Sequence, residues 1–83
     1  MCAICGIQAT EVSENLNIML KTLKHRGPDG CGVYVDGEVS YGDVDKIQIP
    51  EGSFGLGHNL LSIVGSEVSQ PMLNERFIVV CNG

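Results

Sequence analysis

The tetrapeptide Gly27-Pro28-Asp29-Gly30 divides this chain into two kinds of structure. Pro28 cannot extend a helix, and the flanking glycines reach backbone angles that other residues avoid, so a helix arriving from the N-terminal side must end there. Such a helix is predicted. Leu16, Met19, Leu20 and Leu23 recur at helical spacing, Ser13 can cap the start, and Lys21, Lys24 and His25 suit the negative end of the dipole. The spacing amounts to about three turns.

Elsewhere the apolar runs are short and read as strands. Cys2 to Ala9 carries no charge and suits a buried strand. Cys31 to Asp36 and Val39 to Tyr41 are joined by Asp36-Gly37, the dipeptide most typical of a tight hairpin. Residues 43–53 are polar, with Pro50 and Gly52, and read as irregular. Phe54 to Val64 reads as a strand whose Gly55 and Gly57 allow close approach of a neighbouring backbone. A loop from Gly65 to Pro71 follows. Phe77 to Cys81 is a near-continuous apolar run, of the kind buried on both faces of a sheet.

With 83 residues the chain can form one small domain and not two, and a hydrophobic fraction of 43% argues for a packed core. A net charge of −5 with only five Lys and Arg leaves no basic stripe for a nucleic acid. No apolar stretch reaches the roughly 20 residues of a membrane span, and the first residues lack a secretory pattern. A cytoplasmic location is expected, in which Cys2, Cys5, Cys31 and Cys81 stay reduced. Termini usually trail at the surface, so a chain that stops directly after an apolar strand and Asn82-Gly83 is expected to be the first part of a longer one.

Cys2 stands out chemically. Removal of Met1 would leave it as the N-terminal residue, with an α-amino group that titrates near neutral pH, at about 7.7–8.0, and can take the thiol proton directly or through a water. One residue would then be both nucleophile and base. The plainer reading is an apolar residue at the start of a strand. Cys2-Ala3-Ile4-Cys5 has the Cys-x-x-Cys form, but Cys31 and Cys81 are isolated, so a zinc site is disfavoured. A redox pair would want its first cysteine at a helix N-terminus. Cys5, Cys31 and Cys81 are read as core residues. His58 is read as a strand histidine without a catalytic or metal role. Asn82-Gly83 alone is a turn pair, and Arg26 and Asp29 alone are surface charges in a helix-ending loop.

Five ordered blocks change that weighing: Met1-Cys-Ala-Ile-Cys-Gly-Ile7, His25-Arg-Gly-Pro-Asp-Gly30, Gly57-His-Asn-Leu-Leu-Ser-Ile-Val64, Gln70-Pro-Met72 and Cys81-Asn-Gly83. Together they resemble the class II (N-terminal nucleophile) glutamine amidotransferase domain of glutamine-hydrolysing asparagine synthetases. Residues 1–83 would be the N-terminal part of that domain, with its remainder and an ATP-dependent synthetase domain beyond. The resemblance implies an α+β fold, the N-terminal nucleophile hydrolase four-layer αββα sandwich. It implies that Cys2 attacks the glutamine side-chain amide and that ammonia goes on to amidate aspartate. Asn82 and Gly83 would form the oxyanion hole and, with the main chain of Leu61 and Ile63, line the glutamine pocket. Arg26 and Asp29 would support the active centre from the loop. The glutaminase part would need no cofactor or metal, ATP and Mg would belong to the synthetase domain, and a homodimer is compatible with the family.

One departure matters. Where the family carries an arginine that grips the glutamine α-carboxylate, this chain has Leu60, and a buried carboxylate without a cation is costly. Either Arg76 or another group substitutes, or glutamine use is impaired. A non-catalytic remnant or regulatory domain is therefore the rival reading. Ala3 in place of the commoner glycine is a lesser change. If the partners of the run Phe77 to Cys81 lie downstream, the isolated piece is expected to aggregate through an open strand edge.

Overall fold

The computed structural model describes residues 2–61 and 69–81. The strand expected to continue through Val64, the first part of the loop to Pro71, and the residues Met1, Ile63, Asn82 and Gly83 lie outside the described residues.

Strand β1 (Ala3–Gln8) leads into helix α1 (Val12–Thr22). A single 3₁₀ turn, Lys24–Arg26, and then Gly27-Pro28 end the helix as the sequence requires. Strands β2 (Gly30–Val35) and β3 (Glu38–Gly42) form the expected hairpin. Its turn places Asp36 at φ 44° and Gly37 at φ 102°, the left-handed region that this tight turn demands of both central residues. Asp36 is held there by its carboxylate, which accepts the N–H of Ser53 at 2.8 Å and that of Phe54 at 3.1 Å. Strand β4 (Phe54–Leu60) then inserts between β1 and β2, giving a four-stranded antiparallel sheet in the order β1-β4-β2-β3. Among the described residues the fold is α+β, a mainly antiparallel sheet with one helix.

Side chains alternate across a sheet, so the register assigns the faces. Cys5, Gly57 and Val33 lie side by side on one face, as do Ile7, Gly55 and Val35. Helix α1 packs there through Val12, Leu16 and Leu20, all without solvent exposure. The glycines of β4 permit this contact. A Cβ on Gly57 would fall 2.9 Å from Cys5 Sγ and 3.0 Å from Leu20 Cδ2, and one on Gly55 would fall 2.8 Å from Val12 Cγ1.

The opposite face carries Ile4, Phe54, Leu56 and Tyr34, with Tyr34 and Phe54 edge to face at 6.4 Å. It is only partly covered: Ile4 keeps 44% of its exposure. Strand β1 is therefore one-sided among the described residues, and the buried strand expected from its apolar run is corrected to an alternating one. The run Phe77 to Cys81 also departs from expectation. Only Ile78–Val79 form a strand, β6, paired with β5 (Met72–Leu73) in a separate ribbon, and Phe77 is 63% exposed. Its hydrophobicity predicts burial, but among the described residues the sheet order pairs it only with β5.

Two further corrections concern the helix and the irregular segment. Ser13 does not cap α1: the helix starts at Val12 with Glu11 at the cap position, which places Ser13 inside the first turn, where its hydroxyl donates to the Ile49 carbonyl at 2.9 Å. The Ser13 N–H is accepted instead by the Glu51 carboxylate at 3.0 Å, which puts a negative charge at the positive end of the dipole. That bond holds the Glu51 carboxyl below its usual range. Residues 43–53 are irregular as expected, yet Val44 is buried in the core and Ile47 and Ile49 pack against it.

Candidate active site

The strand ends at one edge of the sheet bring Cys2 against Leu61 and Asp29 against Leu60, whereas Ile63, Asn82 and Gly83 lie outside the described residues. Cys2 immediately precedes β1, and its half-buried thiol lies against the main chain of Leu61, just past the end of β4. The Leu61 N–H donates to Cys2 Sγ at 3.5 Å, and the Leu61 carbonyl lies 4.0 Å from the same sulfur. Cys5 points to the other face, into the helix-covered core. The two cysteines of the Cys-x-x-Cys pattern are thereby directed apart, as three residues of strand spacing require. Among the described residues no group of three or more His, Cys, Asp or Glu could hold a metal.

The core thiols differ chemically from an accessible nucleophile. Burial pushes Cys5 up to about 11 and Cys31 likewise to about 11, which keeps both protonated and weakly nucleophilic near neutral pH. Cys81, read from the sequence as a core residue, is exposed, because the run that carries it stays outside the main sheet.

Around the end of β4 lies a cleft of about 270 Å³, lined among others by Asp29, Tyr41, His58, Leu60 and Gln70, with Cys2 outside the described lining. Leu60 ends β4 opposite Gly30 of β2, so it separates the Cys2 side of the sheet edge from this cleft. The loop after α1 is fastened to the same point: the Asp29 N–H donates to the Leu60 carbonyl at 2.9 Å. Asp29 is thus brought to the cleft wall, whereas Arg26 ends the 3₁₀ turn, half-buried and outside the cleft lining. Arg76, the cation named as a substitute for the missing arginine, stacks over the Phe77 ring at 5.9 Å beside β6 and does not line the cleft. The lining contains no Lys or Arg among the described residues.

Two residues given no role by sequence reasoning are central to the geometry. His58 is 1% exposed, faces the cleft, and has Nε2 3.2 Å from the Cys81 carbonyl. Burial holds its imidazole below the usual histidine value, so it is neutral near pH 7. Asn59, also 1% exposed, turns to the core face and donates from Nδ2 to the Leu20 carbonyl at 2.9 Å, joining β4 to the end of α1. Strand alternation at Gly57-His58-Asn59 was the available signal, since it forces adjacent polar residues onto opposite faces.

Residues 1–83 match the model of a family described as a glutamine amidotransferase domain. The chain is also 41% identical, over 93 aligned residues, to a protein of Methanocaldococcus jannaschii provisionally named a glutamine-hydrolysing asparagine synthetase. That alignment takes in 100% of this chain and 17% of the relative's length. No solved structure matches the chain.

Proposed function

Because the chain belongs to the glutamine amidotransferase domain family, we propose that it hydrolyses glutamine with Cys2 as nucleophile and supplies the ammonia for amidation of aspartate. The observation that carries this reading is the placement of Cys2 Sγ just before β1, half-buried and against the Leu61 N–H at 3.5 Å. After loss of Met1, the α-amino group of Cys2 takes the thiol proton as sulfur bonds to the side-chain amide carbon. The oxyanion of the tetrahedral intermediate is stabilised by the Asn82 side chain and the Gly83 N–H, donors whose individual loss typically costs about 100–1000-fold in rate. The C–N bond breaks, the amino group returns the proton, and ammonia leaves. Water then cleaves the thioester, giving glutamate and the free thiol.

In this reading the rest of the amidotransferase domain follows residue 83 and covers the exposed face of Ile4, Phe54, Leu56 and Tyr34 with a second sheet, completing the four-layer sandwich. A C-terminal synthetase domain, using ATP and Mg, consumes the ammonia. The relative's name and the 17% of its length that the chain spans support that arrangement. Leu61 and Ile63 contribute main-chain groups to the glutamine pocket, and Asp29 supports it through its bond to Leu60.

A second reading has a specific observation behind it. Leu60 presents a side chain without charge at the cleft, where a glutamine α-carboxylate would want a cation, and the described lining offers Asp29 instead. A domain that kept the fold and lost glutamine binding would look like this. Cys2→Ala in the full-length protein separates the two: the proposed enzyme loses glutamine hydrolysis, and a protein with no glutaminase activity before substitution is the remnant.

A further inference from the structure

Asn59 occupies a costly position near the end of β4. It is 1% exposed, and its Oδ1 has no hydrogen-bond partner among the described residues. A leucine has as many side-chain heavy atoms and would avoid that desolvation, so burial alone does not call for an amide here. What the amide supplies is a donor. Its Nδ2 donates at 2.9 Å to the Leu20 carbonyl, in the last turn of α1, where carbonyls run out of partners within the helix.

The same residue stands where two routes to the Cys2 sulfur meet. Across the sheet Asn59 pairs with Ala3, the residue that follows Cys2. Along its own strand it leads through Leu60 to Leu61, whose N–H donates to Cys2 Sγ at 3.5 Å. The loop after α1 bears on the same point: Gly27 sits against the Asn59 carbonyl, and the Asp29 N–H donates to the Leu60 carbonyl at 2.9 Å. Leu61 lies just past the sheet, since the β1 pairing ends at Ala3 with Asn59 and the β2 pairing at Gly30 with Leu60. Where its N–H points therefore depends on how firmly Asn59 and Leu60 are held.

We propose that Asn59 is a positioning residue: by fastening the end of β4 to α1, its side chain sets where the Leu61 N–H meets the Cys2 thiol. The inference rests on the glutaminase reading given above. The side chain bonds on the helix-covered face, so it acts on the sulfur through the main chain of Leu60 and Leu61. A nucleophile draws its rate from being held at its target, so a small displacement of the strand end is felt in the chemical step.

The test joins glutamine hydrolysis by the full-length protein to amide hydrogen exchange at Leu61, both measured where every variant is folded. Asn59→Leu keeps the shape and removes the donor. It is expected to lower kcat by about 10–100-fold, the scale of a small misplacement of a reacting group, and to speed Leu61 exchange by about tenfold. Asn59→Asp also lacks the donor at neutral pH, but on acidification its buried carboxyl gains an O–H that Leu20 can accept. Its kcat relative to the unsubstituted protein should rise as pH falls, and this variant decides the matter if Asn59→Leu does not fold. Unchanged kcat or unchanged Leu61 exchange in Asn59→Leu would overturn the proposal. So would an Asn59→Asp rate that stays the same fraction of the unsubstituted one at every pH. If Cys2→Ala hydrolyses glutamine at the unsubstituted rate, the glutaminase reading fails instead, and Leu61 exchange alone then decides whether Asn59 fastens the strand end.

Discussion

Gly27 lies against the carbonyl of Asn59 with no room for a side chain: a Cβ would come within 2.5 Å of the Asn59 carbonyl carbon and oxygen and 2.8 Å of the Leu60 nitrogen. The obstacle is backbone in the middle of the sheet and cannot swing aside. Gly27→Ala should therefore destabilise the domain by about 1–3 kcal/mol, the usual range for overpacking. Denaturant midpoints of the two proteins measure this, and equal midpoints would show that the loop is not seated on β4. Because Asp29 is bonded to Leu60 two residues further on, the same substitution should also slow glutamine hydrolysis.

Leu60→Arg tests why the described lining of the cleft holds no cation. If Leu60 weakens capture of the glutamine α-carboxylate, restoring a guanidinium there should lower KM for glutamine by about tenfold or more, the scale of a charge-assisted hydrogen bond. Little change in kcat is expected, since the interaction is the same in ground and transition states. A KM that rises or stays constant would place the carboxylate elsewhere.

Stability should fall as the solution is acidified, first through His58. Burial lowers its folded pKa below the unfolded value of about 6.5, so the unfolded chain binds the proton first. The contribution of neutral His58 is complete above that pH and is lost as pH falls from there through the folded pKa. Asp29, Tyr41 and Cys31 line the same cleft, and Cys81 contributes the facing carbonyl. Near pH 4 and below a second loss follows at Asp36, whose carboxyl is held down mainly by the Ser53 N–H, with the Ser53 hydroxyl and Phe54 N–H assisting. Denaturation midpoints between about pH 2 and 8 should show both, and His58→Gln should remove only the upper one.

Thiol alkylation near neutral pH should discriminate among Cys5, Cys31 and Cys81. Cys81 is exposed and should be labelled before Cys5 and Cys31, which burial keeps protonated and covered. Mass spectrometry of the digested protein reads the order. Early labelling of Cys31 would mean that the core face opens in solution.

Much of the local structure was legible in the residues. The stop at Gly27-Pro28, the helical spacing of Leu16 and Leu20, and the turn at Asp36-Gly37 each depend on chain geometry within a few residues. The glycines of β4 announced a close neighbour without saying which one. Cys2 was singled out from its position behind Met1, and the structure adds its contact with Leu61, 59 residues away. The helix cap was misplaced because the helix begins at Val12, ahead of Ser13, and Glu51 reaches the Ser13 N–H of its first turn from a segment that looked irregular.

By itself, then, the sequence determined the kinds of element, their turns and the residue types available for chemistry, since these follow from backbone angles and side-chain periodicity. Only the tertiary structure decided that β4 lies between β1 and β2, that Asp29, His58 and Leu60 share one cleft, and that Phe77 stays in solvent. Those outcomes depend on strand order and register, which arise from contacts between residues far apart in the chain, and a shift of one residue in the register of β4 would have sent His58 and Leu60 to the other face.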